Sequence, residues 1–150
     1  MRQGRSGEML TSLPAEAGTY ALVLRLRRRT RLPIGALGEH ALPAGWYVYV
    51  GSARGPGGLA ARVGRHWRGD GARHWHIDYL QPALRLTAVW WAPGAARREC
   101  AWARALQARP GATAPVPRCG ASDCRCPAHL WHFAAEPPRL ALASFALALP

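Results

Sequence analysis

The alternation of apolar and polar positions along the chain predicts three strands. In Thr19–Arg27 an apolar side chain falls on every second residue, which is the period of a half-buried strand. Trp46–Gly51 is rich in aromatic and β-branched residues, and Arg85–Trp91 has the same character, so each predicts a further strand. Because the segment between the first two strands is rich in turn-forming residues, we expect those strands to pair antiparallel.

A helical period follows the second strand. Residues 51–58 form a glycine-rich segment that we interpret as a flexible loop, and the apolar stripe of Leu59–Trp67 predicts a helix directly after it. Arg62 and His66 are four residues apart on that helix, so their side chains should be neighbours beside the stripe. A second helix is predicted for Ala95–Ala108, where a Pro-Gly pair ends it.

Short elements complete the predicted domain. His74–Leu80 is interpreted as a short helix, and His129–Phe133 as a final short strand. The elements together predict an α/β domain of the α+β type, with a small, mostly antiparallel three-stranded sheet flanked by helices. We place this domain at residues 18–134, after a loose lead-in at 1–17 and before a C-terminal tail at 135–150, since 150 residues suit one domain.

The balance of charged residues gives information about function rather than fold. The formal net charge is +12 and the sequence pI is near 11.3. All of the basic residues are arginine, and only eight residues are acidic. A base-composition bias in the gene would explain arginine in place of lysine, but not the shortage of acids. We therefore predict a polyanionic partner, nucleic acid and most simply DNA, because arginines that neutralise phosphates release bound counterions.

Four cysteines raise the question of metal binding. Cys100 stands alone, while Cys119, Cys124 and Cys126 lie close to His129 in the sequence. These are zinc-ligand residue types, but the spacing is not the common Cys-x2-Cys, and buried free thiols are the competing interpretation. The chain shows neither a signal-peptide core nor the ~20-residue apolar run of a membrane span. We expect a cytoplasmic protein with reduced or metal-bound cysteines and no membrane partner.

Glu99 is the most informative carboxylate. It shares one face of its predicted helix with Trp102, Ala103 and Leu106, all of which are apolar. A carboxylate among such neighbours is partly desolvated and needs a cation or a donor. A salt bridge to an arginine and coordination of a hard divalent ion such as Mg²⁺ both satisfy that need.

Four other residues are uninformative singly, but together with Glu99 their order along the chain forms a recognisable pattern. Tyr20 follows a glycine in Gly-x-Tyr, Tyr49 precedes one in Tyr-x-Gly, and Arg62, His66 and Glu99 come later. This order resembles the GIY-YIG nuclease superfamily. The segments 45–53, 65–68, 74–80, 99–101 and 123–130 resemble, more narrowly, a branch of it whose domains occur alone or fused to a DNA-repair endonuclease.

The resemblance implies a role for each residue of the set. Tyr20 would orient or deprotonate the attacking water, and Tyr49 would support the scissile phosphate. Arg62 would neutralise charge on the phosphoryl oxygens, and His66 would assist proton transfer or bind phosphate. Glu99 would hold one Mg²⁺ or Mn²⁺ ion. The nucleic-acid contacts are expected at Gly51, Ser52, Arg54, Arg65, Arg68, Arg73, His74 and His76.

Three functions stay open at the level of sequence. The first is a metal-dependent DNA endonuclease acting in repair. The second is a nucleic-acid-binding module that kept the scaffold without turnover; it is favoured by the lack of any asparagine, since active relatives usually carry one late in the domain. The third is an interaction domain stabilised by zinc at Cys124, Cys126 and His129 with either Cys100 or Cys119. The alternating His74, His76 and Asp78 fit a phosphate or metal site and an ordinary polar helix edge equally well.

Overall fold

The computed structural model describes residues 8–10, 12–69, 73 and 75–150. The strands are, in chain order, β1 (Gly18–Leu26), β2 (Thr30–Pro33), β3 (Glu39–Leu42), β4 (Gly45–Ala53), β5 (Arg85–Pro93), β6 (Leu130–Phe133) and β7 (Phe145–Ala148). The helices of the described residues include the α-helices α1 (Gly58–Arg68), α2 (His76–Leu80) and α3 (Glu99–Gln107) and a 3-10 helix at Gly35–Leu37. Five strands form one antiparallel sheet in the order β6-β4-β1-β5-β7, and β2 pairs with β3 in a separate hairpin.

The central strand β1 is covered on both faces of the sheet. One face, with Tyr20 and Leu22, packs against apolar residues of α1 and α2. The other face, with Ala21 and Val23, packs against Trp102 and other residues of α3. Among the helices of the described residues, none is long and apolar enough to cross a membrane.

The described part of the N-terminal lead-in is packed rather than loose. Leu10 and Leu13 are buried in the main core. The Leu59 amide donates to the Glu16 carbonyl at 2.9 Å, and the Ala60 amide donates to the Pro14 carbonyl at 3.0 Å. The lead-in thus satisfies two amides that the first turn of α1 would leave unpaired.

The predicted fold class is confirmed, and the main sheet has five strands where three were predicted. One of the two additional strands is β6, which corresponds to the predicted short strand. The other is β7, which lies in the segment 135–150 that we separated as a tail and pairs along β5. The side chains of β7 are mostly exposed, so this edge strand carries no alternating pattern for sequence reasoning to detect.

Element boundaries differ where backbone pairing decides them. Gly51 and Ser52 belong to β4 rather than to a flexible loop, since they lie opposite Tyr20 and Thr19 of β1. The helix predicted from Ala95 begins at Glu99. The turn region between the first two main strands contains the β2–β3 hairpin, whose strands of four residues each are too short to show a period.

Candidate active site

A cleft of about 420 Å³ opens at the end of the sheet where β1 begins and β4 and β5 finish. Tyr20, Tyr49, Arg62 and Glu99 line it, so four of the five predicted catalytic residues face one space. The fifth, His66, is buried behind Tyr20. The antiparallel register produces this convergence, because it brings the start of one strand beside the end of the next.

The two motif glycines are required by close contacts. Tyr20 lies opposite Gly51 across the β1–β4 ladder, and a Cβ atom at Gly51 would collide with the phenol oxygen of Tyr20. A Cβ atom at Gly18 would lie 2.7 Å from both the Ala92 carbonyl oxygen and a methyl carbon of Leu59. The glycines thus let the sheet and α1 close around Tyr20.

Tyr20 and His66 form a buried pair. The Tyr20 hydroxyl oxygen lies 2.8 Å from His66 Nε2, and each residue is 1% exposed. A carboxylate oxygen of Asp78 lies 3.9 Å from His66 Nδ1. Nδ1 makes no hydrogen bond within the described part of the chain, but the negative charge of Asp78 favours a proton on it, and Nε2 is then the acceptor of the Tyr20 hydroxyl. The Tyr20 oxygen can then accept hydrogen bonds from the cleft side, where Arg62 lies.

Burial decides the protonation of this pair. It lowers the pKa of His66 to about 4, a shift that Asp78 opposes and Arg62 and Arg65 reinforce. It raises the pKa of Tyr20 to about 12, although Arg62 pulls in the other direction. It also raises the pKa of Tyr49 well above its ordinary value. All three groups are therefore neutral near pH 7.

The low pKa of His66 predicts a loss of stability in acid. The unfolded-state value is 6.5 and the folded value is about 4, so the stabilisation is complete above 6.5 and is lost as the pH falls through that interval. Between about pH 7.5 and pH 4.5 we expect the free energy of unfolding to fall by on the order of 2–3 kcal/mol through His66. Urea denaturation of the protein and of His66→Gln at both pH values checks this. Equal acid losses in the two proteins would contradict it.

Arg62 is held at the edge of the cleft. Its Nη1 donates to the Ser52 carbonyl at 2.9 Å, which ties α1 to the end of β4. Its guanidinium carbon lies 4.2 Å from the ring centroid of Trp75. A planar cation held by a carbonyl and an aromatic face keeps further donors for an anion in the cleft.

Glu99 begins α3 and turns towards the cleft, while Trp102, Ala103 and Leu106 on the same helix face are buried as predicted. Its Oε2 is buried and has no hydrogen-bond partner within the described part of the chain. The salt bridge considered from the sequence is likewise not formed among the described residues. A buried carboxylate oxygen without a donor is costly, which is the arrangement expected of a cation ligand.

Three cysteines and a histidine meet at the neighbouring wall. The Sγ atoms of Cys100, Cys124 and Cys126 and an imidazole nitrogen of His129 lie within 4.8 Å of one another. We call these four residues the cysteine cluster. Cys100, Cys124 and His129 also line the cleft. Four such groups at this separation could hold a metal ion.

The structure shows which of Cys100 and Cys119, the two candidates for the fourth metal ligand, lies with the other three. Cys100 belongs to the cluster. Cys119 does not, because its side chain is fully buried in the main core and its carbonyl oxygen accepts from the His129 amide at 2.8 Å. Burial raises the pKa of the Cys119 thiol to about 12, as expected of an inert core cysteine.

Comparison with known proteins places the chain in a family. The sequence model of one protein family, described as a domain of unknown function, DUF123, matches residues 19–148. The chain belongs to the DUF123 family. Searches of curated proteins and of solved structures each found no match. The DUF123 match includes all the candidate site residues and extends through β7, so the outer strand is part of the family's domain.

The predicted nucleic-acid contacts of this DUF123 domain separate into two groups. Gly51, Ser52 and Arg54 line the cleft. Arg65, Arg68, Arg73 and His76 are not among its described lining residues, and His74 lies outside the described residues. Arg65 nevertheless stacks on the ring of Trp75, as Arg62 does, with its guanidinium carbon 4.4 Å from the ring centroid.

Two members of the second group support the fold. Arg65 donates through both Nη1 and Nη2 to the Asp78 carboxylate at 3.3 Å, and that carboxylate also accepts from the Trp75 amide at 2.8 Å. His76 Nδ1 accepts from the Gly120 amide at 2.8 Å. His76 and Asp78 thus make hydrogen bonds within the fold, and His74 lies outside the described residues.

Five cleft residues were not predicted from the sequence: Val50 on β4, and Trp75, Arg97, Gly120 and Asp123. Trp75 and Asp123 stand within the segments 74–80 and 123–130 that carry the resemblance, and Arg97 is close to Glu99 in the sequence. Arg97, Gly120 and Asp123 lie outside the regular elements, where no period marks which side chains face inwards.

Proposed function

We propose that the cleft binds a phosphodiester group of DNA and hydrolyses it with the help of one divalent cation. The observation that carries this proposal is the convergence of Tyr20, Tyr49, Arg62 and Glu99 on one space, with His66 hydrogen-bonded behind Tyr20. The net charge of +12 supports a polyanionic substrate.

Tyr20 and His66 supply the proton transfer. The pKa of Tyr20 is raised to about 12, so a standing phenolate is not the base at neutral pH. Instead, the Tyr20 oxygen accepts a hydrogen bond from the attacking water while its own proton moves towards His66 Nε2. The Asp78 carboxylate, 3.9 Å from Nδ1, stabilises the imidazolium charge as it develops.

Arg62 and Glu99 act on the phosphate. Arg62 faces the negative charge that develops on the phosphoryl oxygens, and its guanidinium is already positioned by Ser52 and Trp75. Glu99 would hold Mg²⁺ or Mn²⁺, whose chemistry is to polarise the phosphate and stabilise the leaving oxygen. Its buried, unpartnered Oε2 fits a hard cation, because such ions prefer oxygen ligands.

The cysteine cluster fits a different ion. Thiolate and imidazole ligands favour zinc over magnesium or manganese, since the softer ligands suit the softer cation. We assign zinc to the cysteine cluster and the hard cation to Glu99. The two sites border the same cleft but serve different purposes.

A binding module without turnover is the second candidate. The lack of any asparagine favours it, because the resembled nucleases usually use that side chain late in the domain. The same arginines and the same cleft would then bind the phosphate backbone without cleaving it. A zinc-stabilised domain with no nucleic-acid role leaves the net charge of +12 without a purpose.

A cleavage and binding screen separates these candidates. We expect the protein with Mg²⁺ or Mn²⁺ to cut at least one of branched, nicked and single-stranded DNA, and to be inactive in EDTA. Binding measured in Ca²⁺ should weaken with salt, with log K falling by about 0.9 per phosphate neutralised on duplex DNA against the logarithm of salt concentration.

The results of the screen distinguish the nuclease from the binding module. Salt-dependent binding without cleavage of any substrate rejects the nuclease and leaves the binding module. Affinity that is independent of salt, or no affinity for any DNA or RNA, rejects both.

A further inference from the structure

The cysteine cluster joins three parts of the chain. Cys100 lies in the first turn of α3, Cys124 and Cys126 lie in the segment 119–129, and His129 directly precedes β6. We call residues 119–129 the cysteine loop. A single ion at the cluster would therefore connect a helix, a loop and the edge of the main sheet.

The ligand spacing suits a tetrahedral ion. His129 Nε2 lies 3.4 Å from Cys124 Sγ and 3.9 Å from Cys100 Sγ. Zinc bonds of ~2.3 Å to sulfur and ~2.0 Å to nitrogen at tetrahedral angles place such atoms roughly 3.6 Å apart. The two nitrogen–sulfur distances are thus within a few tenths of an ångström of those in a zinc site, and all four donor atoms lie within 4.8 Å of one another.

The residue directly before the cysteine loop, Arg118, holds the backbone of the loop in place. Arg118 has a φ of 69°, a left-handed conformation that is unfavourable for a residue with a side chain. From that position its guanidinium donates to the carbonyl oxygens of Cys124 and Cys126, each at 2.6 Å. Arg118 thereby holds the backbone that presents both thiols to the cluster.

Apolar packing around the cluster is small. The buried apolar residues packed there are Ala103, Ala121 and Cys126, and the side chains of Cys100 and Cys124 are partly buried against them. Two alanines and three thiols bury little apolar surface, so packing alone gives this junction little stability. Small structures with too little core commonly depend on a structural metal.

We propose that one Zn²⁺ ion bound by Cys100, Cys124, Cys126 and His129 clamps the first turn of α3 to the cysteine loop and so holds Glu99 at the cleft. Four protein ligands close the coordination sphere, which is typical of structural rather than catalytic zinc. Glu99 directly precedes Cys100, so the clamp acts one residue from the carboxylate. The importance of holding Glu99 rests on the proposed function, whereas zinc binding and the clamping of α3 do not.

Two matched variants test the ligand assignment. Cys126→Ala removes a buried thiol inside the cluster, and Cys119→Ala removes a buried thiol outside it. Protein purified under reducing, chelator-free conditions should contain about one zinc per chain, and Cys119→Ala should retain it. Cys126→Ala should lose at least tenfold in zinc affinity. Cobalt(II) exchanged into the unaltered protein should show the thiolate absorption of a tetrahedral site, which answers the question even if Cys126→Ala does not fold.

Amide hydrogen exchange tests the clamp without relying on catalysis. Removal of zinc from the unaltered protein by a chelator should raise exchange at least tenfold at the hydrogen-bonded amides of Trp102 in α3 and of Ala121 and His129 in the cysteine loop, and leave α1 unchanged. Protein with less than about a tenth of an equivalent of zinc would overturn the proposal, as would zinc retained undiminished by Cys126→Ala. Unchanged exchange in α3 after zinc removal would overturn the clamp. A failure of cleavage with these results intact rejects only the nuclease.

Discussion

Glu99→Gln should abolish divalent-metal-dependent cleavage while leaving DNA affinity within about a factor of three, because a metal ligand is not a main anchor of the phosphate backbone. The amide keeps the shape of the side chain but removes the charge that would hold the cation. Since Oε2 has no hydrogen-bond partner among the described residues, neutralising it should not lower the melting temperature. Rates of cleavage, binding measured in Ca²⁺ and thermal unfolding check the three parts of this expectation.

The control for this variant is Glu136→Gln, which makes the same chemical change at an exposed residue away from the cleft. Arg62→Ala tests the other side of the phosphate and should slow cleavage by roughly 100- to 1000-fold, the usual cost of losing one stabiliser of developing charge. If Glu99→Gln instead lowers the melting temperature and leaves cleavage unchanged, Glu99 is a structural residue and the metal mechanism fails.

Tyr20→Phe should reduce the rate of cleavage by roughly 100- to 10,000-fold, the range associated with loss of a positioned acid or base. The substitution removes one oxygen, which would receive the water proton and which contacts His66 Nε2 at 2.8 Å. The ring remains to fill the core, but His66 Nε2 loses its hydrogen bond, so we expect a stability loss of about 1–3 kcal/mol. Single-turnover cleavage and urea denaturation give the two quantities separately.

Tyr79→Phe is the matched control, since Tyr79 is half-buried and does not line the cleft. It should retain cleavage within about a factor of three, because packing of the ring is kept. A Tyr20→Phe protein that binds DNA and cuts at the normal rate would show that the Tyr20–His66 pair is structural, and the water would need another base.

Much of the candidate site could be found from the sequence because its members stand on regular elements. Tyr20 and Tyr49 lie on strands whose alternating pattern is visible, and Arg62 and His66 lie on a helix with a clear apolar stripe. Glu99 stood out because its helix face is otherwise apolar. For such residues the local period determines which way the side chain points.

Residues supplied by loops and by neighbouring elements could not be assigned in this way. Asp78 stands near His66 only because α2 packs beside α1, and Arg65 turns to Asp78 for the same reason. His76 supports Gly120 across 44 positions of sequence. Cys100 and Cys119 have the same side chain, and only the paths of α3 and the cysteine loop decide which one joins Cys124, Cys126 and His129.

The sequence by itself determined the α+β class, the central strands β1, β4 and β5, the helix α1, and the net charge of +12. Periodicity and charge are local properties that every residue carries with it. The tertiary structure alone decided the five-strand order, the recruitment of β7 from the chain end and the meeting of the tyrosines with Glu99 at one cleft. Strand pairing is made by backbone groups that are common to nearly all residues, so the side chains along an exposed edge strand do not specify its partner.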